Sequence, residues 1–204
     1  KDFLPLGWEI IAQPSGDLNG DKILDYALVL EDNDPSRWKT DDEQAEEPYM
    51  YASRILAILF GGTRGGYSLA EQSNTFIMER CDPYMEEPFT GIEISNEGDL
   101  QISFNLFYTA GSWYTTSGSY TFRYINKEFT LVSVKRFDYK RNTGESWDYS
   151  YDFLAMTRTM VEESPEESEE DPDVIEETIE LDEPITLKSL EAPFSLQIGD
   201  WDPI

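Results

Sequence analysis

Between residues 92 and 153, apolar and polar side chains alternate with a period of two, and turn-forming clusters interrupt them at about ten-residue intervals. Ile102, Phe104, Leu106 and Tyr108 share one face of such a run. Tyr120, Phe122 and Tyr124 share a face of the next, and Trp147, Tyr149, Tyr151 and Phe153 a face of another. Between these, Phe129, Leu131 and Ser133 alternate against Thr130, Val132 and Val134. Successive side chains of a strand point to opposite faces, so this pattern builds antiparallel strands with one buried and one wet face. Turns are expected at Asn96-Glu97-Gly98-Asp99, Asn126-Lys127-Glu128 and Asn142-Thr143-Gly144-Glu145, with a longer polar turn from Gly111-Ser112-Trp113 to Gly118. The fold expected is mainly β, with α+β as the alternative: an antiparallel meander packed as a sandwich-like sheet, not a propeller.

The first third reads as shorter strands. Trp8-Glu9-Ile10-Ile11-Ala12, Tyr26-Ala27-Leu28-Val29-Leu30 and Ser53–Phe60 are apolar and rich in β-formers. Gly61-Gly62-Thr63-Arg64-Gly65-Gly66 follows the last of these. A glycine-rich phosphate loop would lead into a helix, whereas Tyr67-Ser68-Leu69-Ala70 runs back as a strand. A hairpin turn is therefore expected. Residues 31 to 47 hold eight acidic and two basic residues and read as a solvated loop or a short helix start.

The first two of these strands flank Asp17-Leu18-Asn19-Gly20-Asp21-Lys22-Ile23-Leu24-Asp25. Oxygen-bearing side chains stand at relative positions 1, 3, 5 and 9, and the carbonyl of Ile23 falls at position 7. Asp17, Asn19, Asp21, Ile23 and Asp25 are thus candidate ligands for calcium, which takes roughly six to eight hard oxygens. The loop is not an EF-hand: Leu28 stands where a bidentate Glu would be, and Lys22 where that loop has Gly. It resembles the FG-GAP/VCBS type of calcium loop, D-x-[DN]-x-D-G-x-x-D, over residues 8 to 30. The resemblance implies that Asp17, Asn19, Asp21 and Asp25 hold calcium, and places Lys22 at the family's usual Gly. If the backbone there has positive φ, Lys is less favourable than Gly by ~1 kcal/mol. Such repeats usually occur in tandem, and no second copy is found. The competing reading of the loop is an Asx-rich turn without metal.

Composition narrows the chemistry. The 204 residues include 42 acidic and 15 basic ones, for a net charge of −27. Such a chain repels nucleic acid and anionic lipid, so neither is expected as a partner. With no His, His-based triads, bases and metal ligands are excluded. Cys81 is the only cysteine, so it forms no internal disulfide; it is expected to be a small buried hydrophobe. No apolar run reaches the length of a membrane span. The start at Lys1 suggests a processed N-terminus. An extracytoplasmic bacterial protein (periplasmic, secreted or surface-anchored) is expected, where millimolar calcium suits a weak loop.

Residues 162 to 183 carry thirteen acidic residues and no basic one, interrupted by Pro165 and Pro172. Three regions follow: a β-rich domain over 1–161, a flexible acidic segment over 162–184, and a C-terminal strand within 185–204 that rejoins the domain. Most aromatics are expected in the core. Trp113 and Trp147 sit beside polar turns and are candidates for a ligand-binding edge, facing an unknown protein or a neutral glycan. The favoured function is a calcium-binding β-rich binding or structural module. An inhibitor of a secreted enzyme and a carboxylate-based hydrolase are the alternatives, although no catalytic residue is identifiable. Oligomeric state is not encoded in any feature of the sequence.

Overall fold

In the computed structural model of the chain, residues 4–41, 48–165, 173–201 and 203–204 are described. Two antiparallel sheets face one another across a single large core. The first sheet comprises β1 (Trp8–Ala12), β2 (Ser15–Gly16), β3 (Asp25–Asp32), β6 (Arg54–Gly61) and β7 (Tyr67–Ser73). Its order is β1-β3-β6-β7, with β2 also paired to β3. The second is a seven-stranded meander in which each strand pairs with its sequence neighbour. It runs β8 (Phe89–Ile94), β9 (Leu100–Phe107), β10 (Tyr114–Ile125), β11 (Glu128–Lys140), β12 (Ser146–Asp152), β13 (Thr157–Glu163) and β14 (Asp173–Thr178). A two-stranded ribbon, β4 (Lys39–Thr40) and β5 (Met50–Tyr51), and one 3₁₀ turn at Pro35–Arg37 complete the elements. Neither large sheet closes into a barrel or a propeller.

The core follows from the alternation. Ala27, Val29, Leu56 and Ile58 point inward from the first sheet. Leu100, Ile102, Phe104, Tyr120, Phe122 and Tyr151 meet them from the second. Phe76, in the crossing from β7 to β8, lies edge-on to Phe104, Tyr120 and Phe122, with centroids 5.2–5.9 Å away. β3 and β6 lack alternation because both their faces are covered: Leu28, Leu30, Ala57 and Leu59 form a second cluster on the outer side.

In β11 the alternation slips. Thr121 pairs with Ser133 but Phe122 pairs with Leu131, so Val132 is an extra residue in a β-bulge. The bulge turns Phe129, Leu131 and Val134 all toward the core.

Several expectations are corrected. The polar turn expected up to Gly118 ends at Trp113, and β10 already begins at Tyr114. Thr115, Ser117 and Ser119 are polar because that face of the sheet is wet. In the acidic segment, residues 166–172 lie outside the described residues. Residues 173–178 form β14, paired along β13 from Glu162 to Thr157. The C-terminal stretch rejoins the domain through an isolated bridge, Thr130 to Thr186, and not through a strand. Leu187, Leu190, Ile198 and Ile204 then enter the core. Cys81 is exposed and not buried. Partial burial of its sulfur, ahead of the nearby carboxylates of Glu79, Asp82 and Asp41, raises its thiol above the ordinary value of 9.0.

One charged cluster ties the first sheet to the crossing segment. Arg54, 6% exposed, donates to Glu31 across the β3–β6 pair at 2.7 Å. It also donates to both oxygens of Glu87 at 2.6 and 2.8 Å and to the Met78 carbonyl at 2.7 Å. Burial pulls the Glu87 carboxyl upward, but the hydrogen bonds from Arg54 and from the Phe89 N–H, with the charges of Arg54 and Arg80, together outweigh it and hold the group below 4.5.

Candidate metal centre

The loop 17–25 links β2 to β3 at an end of the sandwich, and its own oxygens organise it. Asp17 accepts N–H bonds from Gly20 (2.8 Å), Asp21 (3.1 Å) and Lys22 (2.8 Å). Asn19 accepts from Asp21 at 2.9 Å, and Asp21 from Ile23 at 2.8 Å. These are nested Asx turns, each side chain catching the backbone that follows it. Gly20 and Lys22 both take left-handed backbone, at φ 78° and 67°. Lys22 thus bears the strain that a Gly at this position avoids. Lys22→Gly is expected to stabilise the protein by about 1 kcal/mol in urea unfolding.

Asp25 has a different environment. It is fully buried, and its two carboxylate oxygens accept from the N–H of Leu18 and of Gly61, both at 2.9 Å. It thereby staples the start of the loop to the end of β6. Burial pushes its carboxyl above the ordinary 3.8; the hydrogen bonds from Gly61 and Leu18 oppose this, and the charges of Asp21 and Asp17 add to it. No Lys or Arg forms an ion pair with Asp17, Asp21 or Asp25 among the described residues.

Two glycines and a leucine dock the loop. A Cβ on Gly61 would lie 2.5 Å from the Leu24 carbonyl oxygen. One on Gly98, in the β8–β9 turn, would lie 2.5 Å from that of Asp17. Leu18 is buried in the shared core. None of these supports was singled out from sequence. Gly61 and Gly98 read only as turn glycines, and Leu18 was one apolar residue within a polar run.

The donor chemistry of the loop fits calcium: two carboxylates, an amide and the Ile23 carbonyl are all hard oxygens. Among the described residues no three Asp, Glu or Cys side chains are grouped so as to hold a metal alone. The amide and the carbonyl are therefore needed to complete a set, and both carboxylate oxygens of Asp17 and of Asp25 also accept backbone N–H bonds.

Trp113 and Trp147 are not equivalent. Trp113 is 65% exposed on the β9–β10 connection. Trp147 packs against the core and lines a cavity of about 370 Å³ with Tyr114, Thr116, Arg136, Asp138 and Tyr149. Tyr114 lies 6.5 Å from the Trp147 ring at a 31° tilt. Asp138 is buried, pairs with Arg136 at 2.7 Å and accepts from the Thr116 hydroxyl at 2.5 Å. Arg136 and Asp138 carry no motif, being two charged residues on a strand whose partners Thr116 and Trp147 come from neighbouring strands. Their spacing of two on one strand was the available signal. Trp113→Ala is expected to change stability by less than about 0.5 kcal/mol, with Trp147→Ala clearly larger, both measured in urea.

The other buried carboxylates each have their own basic partner. Asp32 pairs with Arg37 and Glu71 with Lys188, so no two buried acids are paired with each other. No helix among the described residues is long and apolar enough to cross a membrane. The fold and loop define a two-sheet antiparallel β protein with an Asx-rich connection. No protein family, curated protein or solved structure matches the chain.

Proposed function

We propose that the protein is a calcium-stabilised β-sandwich that acts outside the cytoplasm as a binding or structural module. The observation that carries this reading is electrostatic. The buried Asp25 lies in the field of Asp17 and Asp21, and among the described residues no basic side chain forms an ion pair with any of the three. In this reading Asp17, Asn19 and Asp21 hold the ion with the Ile23 carbonyl, and Asp25 anchors the loop beside it. Because the loop is docked on β6 and on the β8–β9 turn, binding energy at the ion becomes folding energy for both sheets. The cavity beside Trp147 is the module's candidate ligand site. Its aromatic walls and Asp138–Arg136 pair suit a neutral, hydroxyl-rich molecule such as a glycan.

With no bidentate Glu, affinity falls in the weak extracellular range, with Kd of roughly 10⁻⁴–10⁻³ M. Calcium at about 100 times Kd should stabilise the fold by about 2.7 kcal/mol. Thermal unfolding of the full chain in calcium against chelator measures this, and Asp21→Ala should abolish the difference.

The pH dependence follows from Asp25. Its folded pKa lies above the unfolded 3.8, so the cost of its ionisation to folding builds as pH rises from 3.8 to the folded value and is constant above it. A neighbouring cation relieves that penalty only while the group is charged. The stabilisation by calcium should therefore be full at pH 7 and shrink as pH falls through the raised pKa toward 3.8. A calcium effect that is the same at pH 7 and at pH 4, or that survives in Asp21→Ala, would count against the proposal.

A further inference from the structure

A second cavity, of about 320 Å³, opens where the β10–β11 turn, the β12–β13 turn and residues 181–185 meet. Most of its lining residues are apolar. Leu131 and Phe153 are buried against it, and Leu154 lines it while 58% exposed. The β12–β13 turn is held by the Asp152 carboxylate, which accepts from the N–H of Leu154 and of Ala155 at 2.9 Å each. Met156, also on the lining, is forced into left-handed backbone at φ 56°. A long, unbranched side chain in that conformation is a strained feature of the kind that collects at binding sites.

The charge on this cavity has one sign. Glu128, Asp182 and Glu183 line it, and no Lys or Arg does. None of the three carboxylates forms an ion pair among the described residues. We propose that the cavity binds a small organic cation with an apolar body, of the alkylammonium or arylammonium class. The walls formed by Leu131, Phe153 and Leu154 take the body, and the three carboxylates hold the charge and exclude anions. The volume lies at the small end of ligand cavities, which run from roughly 300 to 1,000 Å³. The site shares no residue with the calcium loop or with the Trp147 cavity, so it stands or falls independently of them.

The test is a set of amide NMR titrations of the full chain with octyltrimethylammonium, tetramethylammonium and octanesulfonate, below their micelle concentrations. The octyl cation should give saturable shifts confined to residues near 125–131, 153–156 and 181–185. Tetramethylammonium lacks the body and octanesulfonate carries the opposite charge, so neither should saturate at the same concentrations. Neutralising the rim with Glu128→Gln, Asp182→Asn and Glu183→Gln together should weaken the octyl cation about tenfold. Leu154→Ser, at an exposed position, should weaken it as well without unfolding the protein. Shifts scattered over the acidic surface, equal binding of tetramethylammonium, unchanged affinity in the triple variant, or no saturable binding would each overturn the proposal.

Discussion

Replacing Glu31 and Glu87 together by alanine is expected to destabilise the protein by about 3–5 kcal/mol, well beyond the sum of the single changes. The reason is the position of Arg54. Its side chain is 6% exposed, while Glu31 and Glu87 are 25% and 50% exposed. Either glutamate alone still gives the guanidinium a carboxylate partner. A single loss should therefore cost about 1 kcal/mol. Removing both leaves the buried guanidinium, among the described residues, with the Met78 carbonyl as its remaining side-chain hydrogen-bond partner. Urea unfolding of the two single variants and the double variant decides the matter. Additivity within about 0.5 kcal/mol would show that Arg54 finds water or another partner. The same cluster sets an acid limit. Glu87 is held below 4.5 in the fold, so its contribution is present above that value and is lost as pH falls through the folded pKa.

Gly98→Ala should have the next largest effect, about 2–4 kcal/mol. Two penalties combine there. The residue sits at φ 85°, where a Cβ is strained, and that Cβ would stand 2.5 Å from the Asp17 carbonyl oxygen. The obstacle is backbone, so no side-chain rotation relieves it. Because Asp17 opens the loop proposed to hold calcium, the substitution should also weaken the proposed calcium effect. Gly20→Ala makes the control. Gly20 has φ 78° but nothing within 4 Å of its Cβ position, so only the conformational strain remains, about 1 kcal/mol. Equal losses in the two variants would show that the loop yields freely at the β8–β9 turn.

Most of the fold could be read from the period-2 pattern, because each strand of the meander from β9 to β12 has one buried and one solvated face. The pattern failed where that condition failed. β14 lies at a sheet edge, with Val174 56% and Ile175 41% exposed, so its acidic sequence needs no buried face. Thr115, Ser117 and Ser119 looked like a turn because a wet strand face and a polar loop have the same composition. Val132 broke the alternation because a bulge changes the side-chain period for one residue, and only the pairing with β10 reveals it. In the loop, the spacing of Asp17, Asn19, Asp21 and Asp25 was local and therefore visible. The bond from Gly61 to Asp25 spans 36 residues, and the approach of Gly98 to Asp17 comes from another sheet. Contacts of that kind are set by tertiary packing, so the sequence shows the spacing of Asp25 but not the two backbone N–H groups that its carboxylate accepts.

The most direct test of the calcium reading is calorimetric titration of the chelator-treated full chain with calcium at pH 7. The account predicts one site with Kd of roughly 10⁻⁴–10⁻³ M. Its heat should disappear in Asp21→Ala and persist in Glu128→Gln, which lies at the other cavity. An absence of binding heat up to millimolar calcium, or the same heat in Asp21→Ala as in the unaltered chain, would contradict it.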